Sequence, residues 1–151
     1  ITRNKRIMPL IAIDKFTESD VVNNEKCFFI YAENEKKEGG SEFLRACTNT
    51  LYLTIKSVAS NDREAYWSDV DYRQHVEVLS EDISRIQNIL NLGGIVFIEN
   101  MFLQEEQNGP MKSKAPKTLK FIIKSIDHLL HSYQPKYISP NLRSPRTSLG
   151  S

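Results

Sequence analysis

Apolar positions along the chain alternate between short strand-like runs and longer helix-like stripes. Four runs have the length and the β-branched or aromatic content typical of strands, at residues 10–14, 27–31, 50–55 and 95–98. Two longer segments instead repeat apolar residues every three or four positions, from Val76 to Leu90 and from Leu119 to Leu130. That period is typical of helices buried along one side.

Glycines and helix-capping residues mark where the predicted elements begin and end. Ser41–Cys47 predicts a short helix after the second strand. The first long helix is expected to begin at Ser68 or Asp69 and to stop at the Gly93-Gly94 pair, because glycine readily adopts the left-handed conformation at a helix end. Strands therefore alternate with helices. This order predicts an α/β fold with three α/β/α layers and a mixed or mostly parallel sheet of about four to six strands.

Two internal segments lack both periods and are predicted as loops. Residues 56–71 are polar, and Tyr66 and Trp67 are expected to anchor that loop on the core. Residues 99–114 are predicted as a long surface loop, a kind of segment that is often functional in compact domains. Within it three apolar residues suggest a small contact patch, at Met101, Phe102 and Leu103.

Length and composition bound the organisation and the partners. A chain of 151 residues is expected to form one domain, here over 1–133, followed by an extended tail over 134–151 that contains three prolines and has too few apolar residues to pack alone. Such a tail suits an arm laid on a protein partner. The net charge of +1 argues against a nucleic-acid partner, and no apolar run approaches the length of a membrane span.

The two cysteines are too few for a disulfide framework, so we expect reduced thiols in an intracellular protein. The chain begins at Ile1 rather than at Met. Removal of a mitochondrial presequence would explain that start, and so would a boundary chosen within a longer chain.

Candidate ligand-binding residues follow the strands, because open α/β sheets bind ligands beyond the carboxyl ends of their strands. Asn34 follows the second strand, and Gly39 and Gly40 form a turn whose N–H groups are expected to face an anion at the start of a helix. Lys56 follows the third strand and is a candidate phosphate contact, with a solvated loop charge as the alternative.

The sequence contains no phosphate-binding, dinucleotide-binding or nucleophile-elbow motif. Glu33 and Glu99, together with Asn34, are expected near one another at strand ends, where paired carboxylates do general acid/base work. The alternative is that they are polar residues ending strands. The histidines are interpreted as surface residues of helices rather than metal ligands, and neither a metal nor a cofactor is expected; they are His75, His128 and His131.

The order of these motifs over residues 26–131 resembles a small macrodomain-like family of bacteria and phages. The wider macrodomain group consists of α/β/α folds that bind ADP-ribose or related nucleotides at strand ends. The Gly-Asp-Asn of such proteins is matched in part by Ala32-Glu33-Asn34, and their glycine pair by Gly39-Gly40. Their Pro-Thr-Lys becomes Thr54-Ile55-Lys56, and their Ser-Asp is matched by Ser68-Asp69.

The chain departs from the family pattern after the fourth strand. A loop with several glycines is replaced by residues 99–110, which retain only Gly109 and carry three carboxylates that would repel a diphosphate. The resemblance therefore implies a degenerate, non-catalytic module that serves as a structural or binding subunit of a larger assembly. The alternative is an active ADP-ribose-binding or nucleotide-processing domain. There Asn34, Gly39, Gly40 and Lys56 would hold the ligand, and Glu33 or Asp69 would be the acid/base.

Overall fold

The computed structural model describes residues 9–133, so the tail predicted at 134–151 lies outside the described residues. All neighbouring strands in its single sheet are parallel, and their spatial order is β1-β4-β2-β3. The strands are β1 (Leu10–Ile13), β2 (Cys27–Asn34), β3 (Thr50–Lys56) and β4 (Ile95–Glu99). The α/β prediction is confirmed, with a fully parallel sheet of four strands. The macrodomain-like part of that prediction stays a prediction.

Helices lie between successive strands, and two more follow β4. They are α1 (Glu18–Asn23), α2 (Glu42–Ala46), α3 (Tyr72–Asn91), α4 (Gly109–Lys114) and α5 (Pro116–Ser132). The chain moves in one direction across the sheet from β1 through β2 to β3, and α3 then carries it back to β4. Because parallel crossovers are right-handed, this reversal predicts α3 on the face opposite to α1 and α2.

The side chains agree with that division. The main core is formed by the stripe of α3, the stripe of α5 and alternate strand residues such as Ile30 and Val96. Phe29, which neighbours Ile30 and therefore points to the other face, packs instead against Phe16 and Phe97 with both ring centroid distances at 5.1 Å. The α3–α5 layer therefore covers the larger core.

The segment 99–114, predicted as a surface loop, instead contains short helical elements. It contains two single 3-10 turns, Asn100–Phe102 and Glu105–Gln107, and then α4. Phe102 is fully buried in the main core, while Met101 and Leu103 are partly buried against it. The predicted contact patch is therefore wrong. Single turns are too short to show a period in sequence, yet one turn suffices to direct an apolar side chain inward.

The first long helix begins later than predicted, at Tyr72. The Ser68 hydroxyl accepts a hydrogen bond from the Val70 N–H and starts a single 3-10 turn, Asp69–Asp71, before α3. The predicted stop is confirmed, because α3 ends at Asn91 and Gly93 adopts the left-handed conformation with φ of 87°.

The outer edge of β3 is covered by side chains and by a neighbouring segment. The Thr54 N–H and hydroxyl both donate to Oδ2 of the buried Asp82 in α3, at 2.9 Å each. The Trp67 N–H donates to the Ile55 carbonyl at 2.9 Å. This coverage removes free strand groups that would otherwise pair with another chain.

We expect Asp82→Ala to lower the free energy of unfolding by about 1–3 kcal/mol, because it strips two buried donors of their acceptor. Chemical denaturation followed by circular dichroism measures the change. Glu81→Ala is the matched control, since Glu81 is the exposed neighbour on the same helix and should change stability by less than about 0.5 kcal/mol. Equal effects of the two substitutions would contradict the role of Asp82.

Candidate functional site

The candidate site lies at the carboxyl edge of the sheet. After β2 the chain leads to α2, whereas after β4 it leads to α4 and α5, which pack with the core of the opposite face. When the connections that follow two adjacent parallel strands go to opposite faces of the sheet, a crevice forms at the carboxyl ends of those strands. Open α/β proteins usually bind ligands in that crevice. Asn34 ends β2 at this edge.

Asn34 is buried, with 4% of its surface exposed. Its Nδ2 donates to the Glu38 carbonyl oxygen at 3.1 Å and so holds the turn after β2. Its Oδ1 is buried and accepts no hydrogen bond from the protein. An unpaired buried acceptor is costly, and this one distinguishes Asn34 from the other residues of the predicted site.

The glycine pair forms the turn that the sequence predicted. Gly39 and Gly40 have φ of 68° and 59°, and a Cβ on either would lie 3.3 Å from the Ala59 Cβ. Both features favour glycine at these positions. The helix that follows, α2, has only five residues, so few aligned peptide groups contribute to an anion site there.

Glu33, a candidate acid/base, is a buried carboxylate that forms an ion pair with the partly exposed Arg45. Arg45 of α2 donates from Nη2 to Glu33 Oε1 at 2.6 Å and from Nε to Oε2 at 3.2 Å, and Nη2 also donates to the Gly39 carbonyl at 3.1 Å. Glu33 is 1% exposed. The hydrogen bond with Glu33 raises the pKa of Arg45. Burial, followed by the negative charge of Glu33, raises the pKa of Tyr31. This pair anchors α2 and the glycine turn to β2.

Asp69, the other candidate acid/base, caps a helix. Its carboxylate accepts from the Lys117 N–H at 2.8 Å, from the Thr118 N–H at 3.0 Å and from the Thr118 hydroxyl at 2.8 Å. Ala115, at the N-cap position of α5, has no side-chain oxygen, so Asp69 supplies the cap from another segment. Burial acts to raise the pKa of Asp69, but these donors hold the pKa below its usual value.

Lys56 and Glu99 have separate environments. The Lys56 Nζ donates to Asn61 Oδ1 at 3.1 Å and lies 4.8 Å from the centre of the Tyr66 ring, and burial lowers its pKa. The Glu99 Oε2 accepts from the Phe16 N–H at 3.2 Å, and burial raises its pKa. Glu99 therefore binds the Phe16 N–H whereas Glu33 binds Arg45, and the two carboxylates do not share a hydrogen-bond partner.

The sequence missed a stacked pair beside this edge. The rings of Trp67 and His75 are stacked in nearly parallel planes, with an angle of 2° between the planes and centroids 3.7 Å apart. Both residues are buried, so the surface interpretation of His75 is wrong, although His128 and His131 are exposed as predicted. The signal was present, because His75 stands four positions before Leu79 and eleven before Ile86, on the buried stripe of α3.

A shallow cavity of about 430 Å³ lies beside the first turn of α3. Its charged lining residues include both signs, namely Asp69, Asp71, Arg73 and Lys117. The Asp69 oxygens are already bonded to α5. This cavity therefore favours no particular charge on a ligand.

Within residues 9–133, no group of three or more His, Cys, Asp or Glu side chains is arranged to hold a metal ion. In the same range no helix combines the length and the apolar character needed to cross a membrane.

The fold and this edge define an open α/β domain with an all-parallel sheet and buried polar groups at the carboxyl ends of its strands. The chain belongs to a family of unknown function, DUF7831, whose model matches residues 11–125. Comparison with curated proteins and with solved structures finds no significant match to either.

We expect Asp69→Ala to destabilise the protein by about 1 kcal/mol, because α5 loses the acceptor for its first N–H groups. Thermal and urea unfolding measure the loss. Asp71→Ala is the matched control, since Asp71 occupies the N-cap position of α3 without a side-chain hydrogen bond. A loss from Asp71→Ala as large as that from Asp69→Ala would contradict the capping role.

The free energy of unfolding should carry a contribution from His75 that falls as the pH drops below about 6.5. Burial lowers the pKa of His75, opposed in part by the charges of Glu35 and Asp71, the Ser68 backbone and the charge of Asp69. The unfolded chain therefore binds more protons in this window. Burial raises the pKa of Asp82 and Glu99, so the contribution of these two carboxyls to the free energy of unfolding increases as the pH falls.

The two slopes are separated by measuring urea unfolding from pH 5 to pH 8 in the wild type and in His75→Phe. We expect the free energy of unfolding of the wild type, taken relative to that of His75→Phe, to decrease as the pH falls. His128→Ala should keep the wild-type profile, since His128 is exposed. A difference that does not vary with pH would show that His75 titrates alike in the folded and unfolded chain.

Proposed function

We propose that the protein is a non-catalytic, macrodomain-like module that acts as a binding or structural subunit of a larger assembly. The observation that carries this proposal is that both candidate acid/base carboxylates are bonded to the protein itself. Glu33 is paired with Arg45, and Asp69 caps α5.

A general acid or base must reach the substrate and exchange a proton with it. Both Glu33 oxygens accept from Arg45 inside the protein, and freeing one of them would leave a guanidinium without its partner. Both Asp69 oxygens accept from α5, and freeing them would uncap that helix. Each carboxylate thus has a structural role that conflicts with turnover.

The segment after β4 supports loss of diphosphate binding. It carries Glu105 and Glu106 on a 3-10 turn, and Pro110, the second residue of α4, has no N–H to donate. Carboxylates repel a phosphate rather than replace the close backbone contacts that several glycines permit.

The subunit role is further supported by the composition of 134–151, whose Pro, Ser and Arg residues lack the apolar content for a core of their own. We expect the full chain to migrate in a larger complex during size-exclusion chromatography of native extracts, and the 1–133 fragment to leave that complex. If the 1–133 fragment stayed fully in the complex, residues 134–151 would not be the segment that binds the partner.

We expect the wild type to release no ADP-ribose from an ADP-ribosylated protein above the background rate, and to bind free ADP-ribose more weakly than micromolar by calorimetry. Glu33→Gln and the exposed neighbour Glu42→Gln should be as inactive as the wild type. Turnover abolished by Glu33→Gln alone, or micromolar ADP-ribose binding lost in Asn34→Ala, would instead establish the active alternative.

A further inference from the structure

The two outer edges of the sheet differ in how they are covered. The edge of β3 is bonded by Asp82 and by Trp67. β1 is the strand at the other edge, and it pairs with β4 alone. Within residues 9–133, no segment lies in hydrogen-bonded register along the outer side of β1. This edge therefore has room for a further strand.

The outward-facing groups of β1 follow from the geometry of the parallel ladder. The Val96 N–H donates to the Pro9 carbonyl oxygen at 2.6 Å, so alternate residues starting at Pro9 bond to β4. The N–H and C=O groups of Leu10 and Ala12 therefore point outward, and none has a hydrogen-bond partner among residues 9–133. Leu10 is only 1% exposed, and buried backbone groups of native proteins are almost always paired. An extended segment on this edge would supply the partners.

The described part of the chain ends at the side of the sheet where β1 begins. α5 starts at the carboxyl edge, where Asp69 caps it, and its 17 residues lead back along the strands for about 25 Å. There the Tyr133 hydroxyl donates to the side chain of Asn91, the last residue of α3, shortly before β4 begins. Because β1 and β4 are parallel neighbours, the chain continues after Tyr133 from the end of the sheet at which β1 also starts.

The handedness of parallel crossovers favours the edge of β1 over the edge of β3. α5 and α3 contribute to the same core, so they cover the same face of the sheet. α3 carries the chain from β3 past β2 to β4, in the direction of β1. A right-handed crossover from β4 through α5 must continue in that direction and pass β1. A crossover through α5 to the far side of β3 would be left-handed.

The sequence after α5 contains a segment that fits this edge. Residues 136–139 are Lys-Tyr-Ile-Ser, a run of β-forming character enclosed by Pro135 and Pro140. β1 is also four residues long and also follows a proline, Pro9. Proline is tolerated at the start of an edge strand and is disfavoured inside one. Residues 133–135 are a connection of the usual length between a helix and a strand, about two to six residues.

We propose that residues 136–139 pair in parallel with the outer edge of β1 of the same chain and form a fifth strand of the sheet. The N–H groups of Leu10 and Ala12 then donate to carbonyls of this segment, and their carbonyls accept from its N–H groups. The fifth strand lies outside β1, and every crossover of the completed sheet is right-handed. Such a segment needs no core of its own, because β1 supplies its hydrogen bonds.

This inference goes beyond the proposed function, because pairing within one chain neither requires nor excludes a partner subunit. Residues 140–151 follow the fifth strand and remain as an arm for the partner. Chromatography of native extracts measures complex formation, whereas amide exchange of the purified chain measures the pairing. Failure of one therefore leaves the other in place.

Amide hydrogen exchange of the ¹⁵N-labelled full chain tests the pairing at single residues. We expect the Leu10 and Ala12 amides of the wild type to be protected from exchange. The amides of Ile11 and Ile13, which face β4, should be protected as well. They report on whether the fold is retained when residues 136–139 are altered.

Replacing Tyr137 and Ile138 together by proline removes an inward-facing donor in either register, because alternate residues of a strand face its partner. We expect this variant to speed exchange at Leu10 and Ala12 by about tenfold or more, the effect of losing one net hydrogen bond of about 1.4 kcal/mol. Exchange at residues 11 and 13 should not change. The matched control replaces Thr147 and Ser148 by proline, outside the proposed strand, and should keep the wild-type rates.

Nuclear Overhauser effects identify the chain that supplies the fifth strand. We expect them between residues 136–139 and β1 in uniformly labelled protein. In a mixture of labelled and unlabelled full chains, none should join a labelled chain to an unlabelled one. This pattern places the segment on the β1 strand of its own chain.

Four results would overturn the proposal. Exchange of the Leu10 and Ala12 amides at the rate of an unfolded chain would show that the edge is free. Protection that survives in the variant of Tyr137 and Ile138 would assign the edge to another segment, such as residues 1–8. Equal acceleration in the control variant would remove the assignment to 136–139. Nuclear Overhauser effects between two different chains would assign the edge to a second copy.

Discussion

The insertion of β4 between β1 and β2 is the contact on which the rest of the structure depends. β1 and β2 are adjacent along the chain, yet they do not pair with each other, because each pairs with β4. The pairing of Ile13 with Glu99 joins residues far apart in sequence. α3 returns the chain across one face of the sheet before β4 enters it, so the central pairings join segments distant in sequence.

That return also determines what happens at the carboxyl edge. The 63–71 segment, which joins β3 to α3, covers the free edge of β3 and places Asp69 at the start of α5. Trp67 belongs to the same segment and stacks on His75 at the start of α3. One connection therefore protects the edge of β3, caps α5 and supplies the ring that stacks on His75.

The charged side chains at this edge connect separate elements of the fold. Glu33 of β2 accepts hydrogen bonds from Arg45 of α2, and this pair holds α2 against β2. The same guanidinium donates to the Gly39 carbonyl in the glycine turn between them. Removing Arg45 would be costly, because it would leave the buried Glu33 carboxylate without its partner. What remains unpaired is neutral, namely an amide oxygen, an indole N–H and an imidazole nitrogen.

The sequence by itself determined the class of fold, the four strands and the two long helices, because burial imposes periods of two and of about 3.6 that short segments already display. The turn at Gly39-Gly40 was also predictable, since few residues other than glycine tolerate positive φ. Tertiary structure decided the rest. Whether Asp69 is an acid or a cap depends on α5, which begins 47 residues later in the chain. The burial of Phe102 depends on a single 3-10 turn, whereas the burial of His75 already follows from its position on the apolar stripe of α3. Asp69 and α5 meet only when distant segments pack, and a single turn shows no period, so no local pattern could assign the roles of Asp69 and Phe102.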